Sequence, residues 1–543
     1  MINRKVLNVN FANIGYALGP ITYIFLAILS GLNPGAYDWD ELVYLARSKD
    51  LSQGFFYQGG DYWGDYRAPG LPVLLTLAAR LLGYDENRLV LLPIILGFIS
   101  VLLVGYLAKE LAGRTASIVA MTTLPLLPFF VLTNSGFYAD TAGTVFSLLT
   151  VATAMYFAKQ EKYRVVTFTL VLIALGALST YMRFGAVFTI VPLLICIFLT
   201  QYFHQVQADR IGLVKRWVTL SLSIGIGTLL VYLNPYITLM GDSPAAANRA
   251  LTFNRSDLSP SIALRGFAEL NAYWFQSRSS LEGAWLKALA TLVITLIVIL
   301  IIARRKRALA GFRNTYIWIF AFALQMTLLA TQVGLMSKNY FLIFTPTLAI
   351  LFGVLAVDLH KGNWAIVFPK TKKFLTFAVS VSVVLSVLVI ANRITENTRV
   401  SNIDVFRKAL VEIEAQSGDT KCNVLSNAAP IVVWVSDCNA VGWDAYGTGW
   451  DYVNNPDFSR SQIANSDFFN PSRNWQENIS GNYYFIVSNG TRRQPPIELL
   501  EEVLRLKDDR YVTTISDPHK KNDLIIGQFF ECSNVTCEDV SGP

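Results

Sequence analysis

Apolar residues in the first 393 positions gather into long, nearly uninterrupted runs, whereas the last 150 positions show short apolar stretches separated by polar ones. A span needs about 20 apolar residues to cross roughly 30 Å of hydrocarbon. Eleven runs meet that length approximately: 14–32, 89–107, 115–132, 141–157, 165–181, 185–202, 217–239, 285–302, 316–333, 341–357 and 375–391. The pattern predicts a polytopic α-helical membrane protein. The stretch 71–82 is apolar but too short to span, and reads as an interfacial helix in the first loop; 261–275 reads the same way in a later loop. After residue 394 the period changes. Residues 405–415 and 497–506 read as helices, and 422–425, 431–435, 483–487 and 523–529 as buried strands. Such alternation predicts a small α/β domain over 394–543, following a transmembrane domain over 1–393.

Charge fixes an orientation for this pattern. With the N-terminus in the cytoplasm, the inner loops carry Lys109 and Arg114; Lys159, Lys162 and Arg164; Arg210, Lys215 and Arg216; Arg304 to Arg307; and Lys361, Lys370, Lys372 and Lys373. Each even-numbered span exits toward one of these groups, which is the positive-inside pattern. An odd number of spans then puts the C-terminal domain outside the cytoplasm. The sequons at Asn254, Asn478, Asn489 and Asn534 fall outside as well. So do Cys422, Cys438, Cys532 and Cys537, an even number in one polar domain, which predicts two disulfides in an oxidising compartment. Cys196 lies within an apolar run and reads as a small buried hydrophobe. The first span is preceded by Arg4 and Lys5 and lacks a convincing cleavage site, so it reads as a signal anchor. The expected location is the cell membrane or the endoplasmic reticulum.

Composition adds one exclusion. Only 15% of the 543 residues are charged and 53% are hydrophobic, against about 25% charged in soluble domains. Much of the net charge of +7 comes from basic cytoplasmic loops, and no nucleic-acid partner is needed to explain it.

The chemistry-bearing residues sit on the outer side. Asp38, Asp40 and Glu41 follow the first span directly. A carboxylate beside low-dielectric lipid can hold a raised pKa and act as a general base; a solvated acidic loop is the plainer reading. Arg67-Ala68-Pro69 stands before the interfacial stretch, Asp140 at the outer start of the fourth span, Arg183 at the outer end of the fifth, and Lys338 ahead of Tyr340-Phe341. Each has a structural reading too. Asp140 could serve only the helix N-terminus, and Arg183 and Lys338 could snorkel. Tyr37, Trp39, Tyr57, Tyr62, Trp63 and Tyr66 crowd the first loop, as interfacial belts do.

The order of these features resembles the GT-C superfamily of membrane glycosyltransferases. The nearest subgroup is similar to the protein O-mannosyltransferase and lipid A aminoarabinose transferase family. Asp40-Glu41 matches the Asp-Glu pair that opens that family's first outer loop, and Arg67-Ala68-Pro69 loosely matches its basic residue followed by Pro-Pro. Asp140 and the segment Ser337 to Phe341, followed by Phe344-Thr345-Pro346, stand where the family has an acidic and a basic-aromatic segment. The resemblance covers roughly the first 360 residues. It implies an inverting hexosyl- or pentosyltransferase that uses a polyprenyl- or dolichyl-phosphate sugar, with a protein, lipid or glycan hydroxyl as acceptor. Asp40 would be the general base, with Glu41 and Asp140 beside it as catalytic carboxylates. Arg67, Arg183 and Lys338 would be the donor phosphate ligands. No cofactor is predicted. The Asp38-Trp39-Asp40 spacing leaves open a divalent metal held through Asp38 and Asp140, as an oligosaccharyltransferase-like, lipid-pyrophosphate reading would require. A third reading, a secondary transporter, predicts broken spans in two matching halves with charges at mid-membrane; here most charges fall at span ends. Gly442 to Gly447 only superficially resembles the oligosaccharyltransferase signature and reads as a loop.

Overall fold

The computed structural model describes residues 4–31, 39–52, 68–160, 165–204, 210–233, 313–332, 342–361, 388, 402–417, 422–426, 429–441, 481–488, 512–515 and 524–532. The chain divides into two compact units. One comprises Met1–Asn33 and Tyr66–Thr395; the other comprises Pro34–Asp65 and Glu396–Pro543.

The first unit is helical. Its elements are α1 (Arg4–Gly31), α3 (Gly70–Leu82), the short α4 (Glu86–Leu89), α5 (Leu91–Ala112), α6 (Arg114–Thr123), α7 (Pro128–Asn134), α8 (Ala139–Ala158), α9 (Val165–Met182), α10 (Val187–His204), α11 (Arg210–Leu233), α12 (Arg313–Gln332) and α13 (Thr345–Lys361). Among the described residues, five helical stretches are long and apolar enough to cross a membrane: Glu86–Ala112, Ala139–Ala158, Val165–Met182, Phe184–His204 and Arg210–Leu233. The expected interfacial stretch forms α3. The runs over 285–302 and 375–391 and the second interfacial stretch, 261–275, lie outside the described residues, residue 388 apart.

One expected span is corrected. The run over 115–132 is not a single helix: α6 ends at Thr123, a 3-10 turn covers Leu124–Leu126, and α7 begins at Pro128. Proline is the cause. Pro125 and Pro128 lack the amide that an α-helix interior requires, and Leu127, ahead of Pro128, is forced to extended backbone at φ −82°, ψ 110°. Leu124, Leu127, Phe130 and Val131 are buried, so the broken backbone is enclosed by protein. That is the condition under which irregular backbone is tolerated at membrane depth.

Close helix contacts depend on small residues. A Cβ at Gly176 of α9 would fall 2.5 Å from the Ile224 carbonyl oxygen of α11, and one at Gly227 of α11 would overlap the Ile173 carbonyl. With lipid outside, van der Waals contact rather than hydrophobic exclusion holds helices together, and small side chains let backbones approach.

The two ends of the bundle differ in charge. At one end Lys159 binds Glu110 at 2.5 Å, Arg216 donates to the carbonyls of Ala158 and Gln160, and Arg114 lies over Tyr16. At the same end Arg210 and Arg313 stack on Tyr202 and Phe203. Helix α8 carries 20 residues from that end to the other, about 30 Å at 1.5 Å per residue, which matches the hydrocarbon thickness.

The second unit contains α2 (Trp39–Ser52), α14 (Asn402–Ser417) and α15 (Ala429–Val435) with strands β1 (Cys422–Ser426), β2 (Asn439–Val441), β3 (Gly481–Ser488), β4 (Val512–Ile515) and β5 (Leu524–Cys532). The strand order is β2-β1-β3-β5-β4. β1 pairs in parallel with β2 and β3, and β5 runs antiparallel to β3 and β4. Ile403, Phe406, Leu410 and Ile413 form the buried stripe of α14. The expected strand over 431–435 is corrected: it lies within α15. A short apolar run has no periodicity that separates strand from buried helix. Cys422 and Cys438 form a disulfide. Pairing of Cys537, the stretch 497–506 and Gly442 to Gly447 lie outside the described residues.

Candidate active site

At the end of the bundle away from the basic cluster, the chain turns from Tyr138, in extended backbone, into α8. Asp140 stands in the first turn, where a negative charge meets the positive end of the helix. Its Oδ1 forms an ion pair with Nη1 of Arg183, and both side chains are nearly buried, at 13% and 12% exposure. Arg183 occupies the break between α9 and the 3-10 turn Phe184–Ala186, with its amide bonded to the Ser179 carbonyl at 3.0 Å. Gly143, one turn along α8 from Asp140, makes room: a Cβ there would come 2.5 Å from Arg183 Cβ. The structure therefore joins two residues that the sequence nominates separately.

The surroundings fix this pair. Tyr232 of α11 donates its hydroxyl hydrogen to the Phe184 carbonyl. Phe184, Val231 and Ala68 form a buried cluster with Tyr181 and Tyr232 against it. Gly70, at the start of α3, allows the chain to lie directly on Met182 and the Tyr181 carbonyl. The segment just after Arg67 is thus packed against the segment that carries Arg183, while Arg67 itself lies outside the described residues. At the same end, Ser30 and Ser135 share a hydrogen bond of 2.7 Å. Asn134, 1% exposed, donates to the Phe130 carbonyl. Its Oδ1 has no hydrogen-bond partner among the described residues.

Within the second unit, Asp40 and Glu41 form the first turn of α2. Glu41 is buried and Asp40 half-buried. Lys49 stands in the last turn, so the helix has acid at its N-terminus and base at its C-terminus, both favourable to its dipole. That charge arrangement was the available sign of α2, which periodicity did not reveal. Tyr232 and Gly143 were also not anticipated. Asp38 and Lys338 lie outside the described residues. Among the described residues, no three His, Cys, Asp or Glu side chains gather as a metal site.

Residues 66–226 match the family model described as dolichyl-phosphate-mannose-protein mannosyltransferase. The chain is similar to a crystal structure of ArnT from Cupriavidus metallidurans bound to undecaprenyl phosphate. The TM-score is 0.58 at 12% identity, with 94% of this chain and 98% of that one covered. The chain has the GT-C fold. The apo form of the same ArnT gives a TM-score of 0.56 at 13% identity, covering 95% of this chain and 98% of that one. A third GT-C structure is the oligosaccharyltransferase of Archaeoglobus fulgidus tethered to an acceptor peptide. It gives 0.50 at 13% identity, over 95% of this chain and 74% of that one. No curated protein sequence matches the chain significantly. The family match begins beside Ala68 and spans Asp140, Gly143 and Arg183, so the buried pair lies inside the part of this chain that matches the family model.

Proposed function

We propose that this GT-C chain is an inverting glycosyltransferase that moves one monosaccharide from a polyprenyl-phosphate donor to an acceptor hydroxyl on the outer membrane face. The observation that carries the reading is the Asp140–Arg183 pair, set within the family match and at the bundle end remote from the basic cluster. A guanidinium held by a carboxylate is oriented, and its planar fork matches the geometry of phosphate oxygens. Such a group can bind the phosphate that leaves. The neighbouring ArnT structure holds undecaprenyl phosphate, which supports a lipid-linked phosphate as the donor class. The basic end is assigned to the cytoplasm by the positive-inside rule.

In this reading the acceptor O–H loses its proton to Asp40 as its oxygen attacks the anomeric carbon. The bond from that carbon to the phosphate oxygen breaks, and a polyprenyl phosphate monoester leaves. Arg183, with Arg67 and Lys338, offsets the developing negative charge. Asp140 orients Arg183, and Glu41 supports Asp40. The roles of Asp40 and Glu41 rest on the family resemblance and on their place in the first turn of α2. The test is to supply radiolabelled polyprenyl-phosphate sugars to membranes with and without this protein. A labelled product that forms only when the protein is present supports the reading. Identical labelling in both membranes overturns it.

A further inference from the structure

Helix α2 belongs to the same compact unit as the C-terminal sheet, although about 370 residues separate its end at Ser52 from β1 at Cys422. Its last turn is fastened there. Lys49 Nζ donates to the Ser436 carbonyl at 2.5 Å and lies 3.1 Å from Asp437 Oδ1. Ser436 directly follows α15, so its carbonyl is one that the end of a helix leaves without an intrahelical partner. The acceptor is itself held. The Ser436 hydroxyl donates to the Val432 carbonyl at 2.7 Å and accepts from the Cys438 amide at 3.3 Å. Cys438 is tied through its disulfide to Cys422, the first residue of β1. From Lys49 a continuous chain of bonds therefore leads to β1, in the parallel part of the sheet.

We propose that Lys49 is a positioning residue: it clamps α2 to the turn after α15 and thereby sets the pose of Asp40 and Glu41 at the other end of the helix. The inference rests on the glycosyltransfer reading for what those carboxylates do. Lys49 is nine residues from Asp40, about 13 Å along the helix axis, so it acts on the chemistry only through α2. Of its two contacts the carbonyl is the stronger. The Asp437 side chain is 89% exposed and Lys49 only 15%, and an ion pair with one partner in water is screened.

The experiment compares Lys49→Met, Lys49→Arg and Asp437→Asn in the full-length protein in nanodiscs. Two quantities are read: amide hydrogen exchange of the peptide 39–52, and the kcat and KM for mannosyl-, glucosyl- and arabinosyl-phosphoryl polyprenols. Methionine keeps the apolar stem of Lys49 and removes the charge and its donors. Lys49→Met should raise exchange in 39–52 and lower kcat by about 10–100-fold, the scale of a misplacement near 1 Å, with donor KM unchanged. Lys49→Arg should restore much of both, and Asp437→Asn should alter neither by more than about twofold. Unchanged exchange in Lys49→Met overturns the clamp. Raised exchange with unchanged kcat overturns the positioning role. If the wild-type protein transfers none of the three sugars while exchange still rises, the clamp stands and the glycosyltransfer reading fails.

Discussion

Removing one member of the Asp140–Arg183 pair leaves the other charged, nearly buried and without its counter-ion. Asp140→Asn keeps the shape of the side chain and deletes the charge. Arg183→Met keeps much of the stem that fills the space above Gly143. Breaking a fully buried pair from one side costs roughly 3–5 kcal/mol. Here 13% and 12% of the two side chains still reach the surface, and some hydration remains, so the low end applies: about 3 kcal/mol for each single substitution. The double variant buries no orphan charge. It loses only the net worth of the pair, which its own desolvation cost largely offsets, and should fall about 1–2 kcal/mol below wild type. The cycle then yields a coupling of about 4 kcal/mol, well above the roughly 0.5 kcal/mol within which independent sites add. Reversible unfolding in mixed micelles, read by tryptophan fluorescence, measures all four proteins. Additive single effects would refute the pair as a coupled, buried unit.

Three further outcomes follow from the same geometry. Gly143→Ala adds one methyl against the Arg183 stem and should destabilise by about 1–3 kcal/mol, with weaker donor use in the same preparation; an unfolding midpoint equal to wild type would contradict the close approach. Arg67→Gln should raise the donor KM in titrations with purified protein, because a charge-assisted phosphate contact contributes about 1.5–3 kcal/mol. Arg67→Lys should recover part of the loss, and unchanged donor dependence in Arg67→Gln would remove Arg67 from the phosphate site. Engineered cysteines near Ser256 and Asn478 should react with a membrane-impermeant reagent in intact cells and one at Lys306 should not; labelling at Lys306 would invert the assigned orientation.

The apolar runs placed the helices of the bundle because length and apolarity are one-dimensional quantities, readable from the chain. They placed α5, α8, α9, α10 and α11 within a few residues, apart from an α11 that begins seven residues early, at Arg210. The same average concealed the break at Leu124–Leu127, where two prolines act on the backbone without lowering local apolarity. Counting spans put Asp140 and Arg183 on one side of the membrane. Their pairing was not legible, because it depends on the rotation of α8 and α9 about their axes and on the absence of a side chain at Gly143. The run within α15 was too short for periodicity to separate helix from strand. The docking of α2 on α15 joins parts of the chain almost 400 residues apart, and no local signal carries such a contact.

Transfer from a polyprenyl-phosphate sugar with Asp40 as base is measured with purified wild-type protein and Asp40→Asn in nanodiscs, given labelled polyprenyl-phosphate sugar and a hydroxyl acceptor. Polyprenyl phosphate release and labelled product are followed together. Wild-type protein should form both in equal amounts, and Asp40→Asn should lower the rate by about 10²–10⁴-fold with unfolding unchanged. Turnover of Asp40→Asn at the wild-type rate would contradict the role of Asp40, and wild-type protein that releases no polyprenyl phosphate would contradict the account itself.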